Sequence, residues 1–332
     1  MKKLSIGIDI GGTNSSFGLV DSTGEIYAEG SISTAKYPYY NDYEEYLQAL
    51  AEALKNAIQT LDFEVEIVGV GIGAPNANMH RGTIEQPANL WKFNNMEDDE
   101  SLRTFHICRD LKAYIPDVSH IVITNDANAA TLGEMMFGNA RGMSDFAMIT
   151  LGTGLGSGFV AGGQMIYGHD GFAGEMGHVT VVPNGRECGC GKRGCLECYV
   201  SATGIKRTAF EMMALKRWDS PLRKLSYEEL TSEMIYRAAK GGDELAQEIF
   251  RYTSELLGAA LANMVTITSP EAIIIFGGLA KSGEMLFAPT RRYMEENLMP
   301  TYRGKIKILP SGLQDKNIAI LGAAALGMQN VL

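Results

Sequence analysis

Basic residues are scarce relative to acidic ones: 29 Lys and Arg stand against 39 Asp and Glu, a net charge of −10. A protein that grips nucleic acid by neutralising phosphates shows the opposite balance or a basic block, and neither is present. Cysteine is sparse as well. There are five in 332 residues, four of them between Cys188 and Cys198, and an odd, crowded set does not make a disulfide framework. Long apolar runs are absent. The longest uncharged stretch, Phe146 to His169, has 24 residues, but seven are glycine and Thr150, Thr153 and Ser157 add polarity. It reads as a glycine-turn hairpin, not a membrane helix. The apolar run after Met1-Lys2-Lys3 is cut at Asp9, too short for the ~7–15-residue core of a secretory signal. These absences predict a soluble cytoplasmic chain with neither a nucleic-acid nor a membrane partner.

Glycine, by contrast, is abundant: 38 residues fall in short clusters between apolar runs, which predicts many tight turns. The length corresponds to about two domains at ~150 residues each. Ser5–Ile10 predicts a strand, followed by Gly11-Gly12-Thr13-Asn14, a strand Ser16–Val20, a turn at Asp21–Gly24 and a third strand around Ile26-Tyr27. The stretch Met148–Tyr167 repeats that plan. Placing Asp9 on Thr150 superposes Gly11 on Gly152 and brings two Ile-Tyr pairs within one residue, so one supersecondary unit is present twice.

Between and after the repeats, Tyr43–Leu61 has the spacing of an amphipathic helix and Ile67–Gly71 that of a strand. Ile121–Thr124 predicts a strand running into Asn125-Asp126, which opens a helix to Phe137. Asp243–Val265 predicts a long helix, and Ala272–Phe276 a buried strand ending at Gly277-Gly278. Alternating strands and helices imply an α/β architecture with largely parallel sheet portions. The expected domains are 1–123 and 124–315, with a small-residue C-terminal helix at about 316–332 packing back on the first.

Four strings carry chemistry. Asp9-Ile10-Gly11-Gly12-Thr13 places a carboxylate at a strand end beside a glycine turn, which suits Mg²⁺ and phosphate; an ordinary hairpin with a capping Asp is the alternative. It is not a P-loop, because no Gly-Lys-Ser/Thr follows. Leu151-Gly152-Thr153-Gly154 is its counterpart in the second repeat, and follows a strand without opening a helix, unlike a dinucleotide fingerprint. Asn125-Asp126 sits at a strand-to-helix junction, where Asp126 is either an N-cap or a general base with Asn125 orienting a hydroxyl. Finally, Glu175-Met176-Gly177-His178 precedes Cys188-Gly189-Cys190-Gly191-Lys192-Arg193-Gly194-Cys195-Leu196-Glu197. One His and three thiolates make a set usual for structural Zn²⁺, with an all-cysteine site using Cys198 as the competitor.

In this order, the four strings closely resemble the ROK family of sugar kinases and sugar-responsive repressors, over nearly the whole chain. The resemblance implies an actin-like ATPase (ribonuclease H-like) fold, two α/β domains around an interdomain cleft that closes over sugar and ATP. It implies ATP-dependent phosphorylation of a hexose at the 6-hydroxyl, glucose foremost, with an N-acetylhexosamine or fructose as alternatives. By the same resemblance Asp126 is the catalytic base, and Asn89, Asn125, Asp126, Glu175, His178 and Glu197 contact the sugar. Asp9, Gly11, Gly12 and Thr13 with Gly152, Thr153 and Gly154 serve Mg²⁺ and the phosphates, and Gly277-Gly278 matches an adenosine-binding turn. His178, Cys188, Cys190 and Cys195 match the ligands of a structural Zn²⁺, which leaves Cys198 a bystander. A homodimer or homotetramer is implied too. One position departs from the family: after Gly73-Ala74-Pro75 a glycine is frequent, and this chain has Asn76. A repressor of the family needs a DNA-binding segment ahead of the first glycine turn, and the eight residues before Asp9 already read as strand.

Overall fold

A computed structural model describes residues 1–87, 90–92, 103–314 and 316–329. The chain forms two compact units. In the first, β1 (Lys2–Ile10), β2 (Ser15–Val20) and β3 (Ile26–Ile32) make an antiparallel run, and α1 (Tyr43–Gln59) leads to β4 (Val65–Gly73). A small sheet of β5 (Ala77–Asn78), β6 (Thr83–Glu85) and β7 (Thr104–Phe105) follows, then α2 (Ile107–Tyr114), β8 (Ile121–Thr124) and α3 (Asp126–Phe137). The main sheet has the order β3-β2-β1-β4-β8, with β1, β4 and β8 parallel. Helix α1 buries Tyr46, Leu47, Leu50, Ala51 and Leu54, the spacing of one helical face, in a core with Ile6, Ile8, Ile72 and Ile123.

The second unit repeats the plan. Its sheet has the order β11-β10-β9-β12-β13, from β9 (Phe146–Leu151), β10 (Leu155–Ala161), β11 (Gln164–Met165), β12 (Ala272–Phe276) and β13 (Lys307–Pro310). The central strands correspond as the repeat predicts. Asp9, next to last in β1, pairs with Ser16 and Gly73; Thr150, next to last in β9, pairs with Gly156 and Phe276. The helices are α4 (Glu197–Val200), α5 (Ala202–Leu215), α6 (Ser232–Lys240), α7 (Glu244–Thr268) and α8 (Glu284–Asn297). Asp243 caps α7 by accepting from Ala246 N–H at 2.7 Å, and Ser269 ends it in the left-handed conformation at φ 46°.

The division of the chain differs from the expected 1–123 and 124–315. The first unit runs on to Arg141 and takes in Tyr167–Ala173 and the C-terminal helix α9 (Ile318–Met328), while the second holds Gly142–Ile166 and Gly174–Gln314. Packing gives the reason. Helix α3 lies on α9 and β4, and α9 lies on β1 and β4, so the helix after Thr124 belongs to the first core. Gly71 permits this approach, since a β-carbon there would overlap the Ala323 carbonyl oxygen. The segment Tyr167–Ala173 is hooked to the same unit by Asn78, whose Nδ2 donates to Asp170 O at 2.8 Å.

Candidate active site

In the first unit, Asp9 is the next-to-last residue of β1 and Asp126 is the first residue of α3. The Asp126 charge acts on Asp9. Burial, and then the charge of Asp126, push Asp9 from the usual 3.8 up to about 6. Asn125, not Asp126, is the N-cap: its Oδ1 accepts from Asn128 N–H at 2.7 Å. Among the described residues Asp126 accepts from the next amide, Ala127 N–H, at 2.9 Å, and it is exposed. The capping duty that competed with a chemical role for Asp126 therefore falls to its neighbour, and the cap occupies Asn125 Oδ1 while its Nδ2 keeps its donors.

The turn after β1 closes on itself, Gly11 N–H donating to Asn14 O at 3.0 Å, and Gly12 and Thr13 lie exposed beyond it. Behind Asp9 stands a buried hydroxyl chain that sequence reading did not single out. Ser15 Oγ lies 2.7 Å from both Thr34 Oγ1 and Tyr46 Oη. Burial raises the Tyr46 phenol far above its ordinary range, with the charge of Asp9 adding to it. The signal was Tyr46 on the apolar stripe of α1, where its ring alone was legible. Asn76 takes a left-handed backbone at φ 55°, the conformation a glycine would supply, and its Nδ2 donates to Gln86 O at 3.0 Å. The asparagine thus adopts a backbone conformation open to glycine. Asn89 lies outside the described residues.

In the second unit the expected residues form one chain of contacts. Gly277, at φ 110°, lies so close to Leu151 that a β-carbon would overlap that backbone, which sets the Gly277-Gly278 turn beside Gly152. Gly152 N–H closes its own turn onto Gly154 O at 3.1 Å, as Gly11 does in the first repeat. A β-carbon at Gly154 would strike Glu197 Oε2, which instead accepts from Leu155 N–H at 2.8 Å. Gly154 therefore makes room for a carboxylate. The other oxygen of Glu197 is 3.9 Å from Cys188 Sγ, and that sulfur is 3.6 Å from His178 Nδ1. His178 Nε2 in turn lies 4.0 Å from Glu175 Oε2.

The ligand atoms of His178, Cys188, Cys190 and Cys195 all lie within 4.8 Å of one another, with Cys190 Sγ and Cys195 Sγ 3.7 Å apart. Tetrahedral zinc with bonds of about 2.0–2.3 Å needs its ligands roughly 3.4–3.8 Å apart, so the donor set suits that ion once its widest separations close by about 1 Å. Burial and the neighbouring Cys188 and Cys190 sulfurs raise the Cys195 thiol to about 12, a penalty that a bound dication reverses. Cys198 Sγ lies outside that set and donates to Glu187 O at 3.5 Å, although it also neighbours Cys188. An apolar groove of about 540 Å³ in this unit, lined by Phe159, Val179, Leu256, Met264 and Ile267, takes in Glu175 alone of the expected site residues. The transfer chemistry does not belong to it.

Known proteins resemble this chain over nearly its whole length. The ROK family model matches residues 5–330. A glucokinase of Thermotoga maritima is 36% identical over 333 aligned residues, covering 98% of each chain. The crystal structure of a ROK family glucokinase from Streptomyces griseus, in complex with glucose and AMPPNP, superposes with a TM-score of 0.76 at 31% identity, covering 98% of this chain and 99% of that one. A xylose repressor of Caldicellulosiruptor bescii is 29% identical over 98% of this chain and 78% of its own length. The two repeated α/β units are those of the actin-like ATPase fold, and this chain belongs to the ROK family.

Proposed function

We propose that this chain transfers the γ-phosphoryl group of ATP to the 6-hydroxyl of glucose. The observation that carries the reading is at the start of α3: Asn125 caps the helix, and Asp126 is left exposed beside a second, partly buried carboxylate, that of Asp9. Asp126 accepts the proton of the sugar 6-hydroxyl as that oxygen attacks the γ-phosphorus in line. Asn125 Nδ2 orients the hexose, and Glu175, His178, Glu197 and Asn89 complete the contacts to its other hydroxyls. Because Gly11 and Gly152 spend their N–H groups closing their turns, the amides of Gly12, Thr13 and Thr153 are those that meet phosphate oxygens. Gly277-Gly278 takes the adenosine. The Asp9–Asp126 pair fits a divalent cation, since the charge of Asp126 adds to what raises Asp9 and a bound dication would relieve it; bound Mg²⁺ would neutralise charge on the β- and γ-phosphates. The transition state is loose, so positioning and electrostatics supply most of the acceleration.

Zinc belongs to the same proposal, one ion per chain on His178 Nδ1, Cys188, Cys190 and Cys195. Bound zinc would fix the tautomer that presents Nε2–H to the sugar. Cys190→Ser is expected to lower zinc content, thermal stability and glucose affinity together, and Cys198→Ser to change none of them. Atomic absorption on the two purified variants decides, and zinc lost from the Cys198 variant alone would name the other ligand set. Homo-oligomeric assembly rests on the family resemblance, and a cytoplasmic setting on the composition. No helix among the described residues is long and apolar enough to cross a membrane.

The sugar preference is tested by kcat/KM for glucose, N-acetylglucosamine and N-acetylmannosamine under saturating Mg-ATP, read as ADP release. Glucose is expected to lead. A lining of two carboxylates and an imidazole matches hydroxyls, and an acetamido group there strands buried acceptors at ~1–3 kcal/mol each. A ratio below one for either amino sugar would transfer the assignment to that hexosamine. Absence of turnover with every sugar, alongside tight sugar binding, would favour a sensor of the repressor type.

A further inference from the structure

Arg186 lies in the loop between β11 and α4 and is 8% exposed. All five of its guanidinium donors are used. Nε and Nη2 take both carboxylate oxygens of Glu211, Nη1 donates to Cys198 O at 2.7 Å and Gly204 O at 3.1 Å, and Nη2 also reaches Thr208 Oγ1 at 2.9 Å. The main chain of Arg186 is held too: its N–H donates to Tyr199 Oη at 2.9 Å, and its carbonyl accepts from Gly194 N–H at 2.8 Å. The guanidinium carbon sits 4.3 Å from the centre of the Tyr199 ring.

What these contacts converge on is α4, a helix of four residues that begins with Glu197. A single turn leaves its terminal groups without intrahelical partners and does not hold itself together. Arg186 takes its Cys198 carbonyl, stacks on its Tyr199 and joins it to the start of α5. From the opposite end, Leu155 N–H pins Glu197 Oε2. The direction of Glu197 Oε1 therefore depends on where Arg186 sets α4.

We propose that Arg186 is a positioning residue for Glu197, holding α4 at the placement in which that carboxylate meets the sugar. The inference rests on the sugar-binding reading of Glu197. Lysine does not substitute for it, because one ammonium with three donors lacks the planar fork that spans a carboxylate and two carbonyls. A contact made equally in ground and transition states acts on KM, so the effect belongs in the glucose KM.

The experiment is a double-mutant cycle on Arg186→Lys and Glu197→Gln, with glucose KM, ATP KM, kcat and zinc content measured for each folded variant. Arg186→Lys is expected to raise the glucose KM about tenfold, with ATP KM within twofold of wild type and kcat within threefold. If Arg186 acts through Glu197, the double variant is no worse for glucose than Glu197→Gln alone. Multiplicative effects, or a glucose KM within twofold of wild type in Arg186→Lys, would overturn the proposal. A normal glucose KM in Glu197→Gln would instead overturn the sugar-binding reading beneath it. Should Arg186→Lys not fold, Glu211→Gln weakens the same anchor from its half-exposed side, where the carboxylate is 54% accessible, and enters the same cycle with the same two outcomes.

Discussion

Asp126→Asn is expected to fold, to bind glucose and to lose ~10²–10⁴-fold in kcat, the usual contribution of a general base. The fold is safe because Asn125 supplies the cap of α3, and the bond Asp126 accepts from Ala127 N–H is one an asparagine Oδ1 also accepts. Two electrostatic effects on stability oppose each other. A negative charge in the first turn of a helix contributes ~0.3–1 kcal/mol when exposed, and its loss costs that much. Against it, removing the charge relieves part of what raises Asp9. The net change in unfolding free energy near pH 7 is therefore within about 1 kcal/mol. Urea unfolding and a coupled ADP assay on one preparation separate the two readouts. Turnover within threefold of wild type in a folded variant would leave Asp126 a helix residue and nothing more.

Much of this arrangement was legible in the residues. The two glycine turns announced a repeat, and the sheets bear it out because a hairpin's register is set by where apolar residues stop and glycines begin. The bounds of β8, β12 and α3 agree with the reading, since each is a dense apolar run cut by a capping or glycine residue, and α9 falls inside the stretch expected for it. What stayed hidden depended on contacts distant in sequence. Nothing local says that α3 belongs with α9, because that follows from Gly71 letting the Ala323 backbone reach the sheet. Gly154 read as a phosphate contact, yet the side it leaves bare faces Glu197, 43 positions on. Arg186 was invisible for the same reason: its five acceptors come from Cys198, Gly204, Thr208 and Glu211. Asn125 and Asp126 show the remaining limit. Either residue type caps a helix, and only the side-chain geometry says which one does.

Asp9→Asn is expected to move stability and activity in opposite directions. The folded chain raises Asp9 from 3.8 to about 6, so the native state binds that proton more tightly than the unfolded chain does. The stability this gives is complete below about pH 3.8, declines as pH rises, and is gone above about pH 6. At pH 8 the wild type thus holds a partly buried, repelled carboxylate whose cost, at 1.36 kcal/mol per pKa unit, is roughly 3 kcal/mol. Asparagine carries no such charge. In Mg²⁺-free buffer without a chelator, which would also strip zinc, the variant is expected to be about 2–3 kcal/mol more stable than wild type at pH 8. At pH 4 the two should be nearly equal. The same substitution removes the charge proposed to hold the cation at the phosphates, and kcat should fall by ~10²–10³-fold, the scale of one preorganised electrostatic contact. The coupling with Asp126 supplies a control. Burial is the larger cause and the Asp126 charge the smaller, so Asp126→Asn should remove only the smaller part of the pH dependence, and Asp9→Asn all of it. A variant at position 9 that is no more stable than wild type at pH 8 would mean that the native chain solvates this carboxylate. The pair with Asp126 would then lose its claim as the cation site.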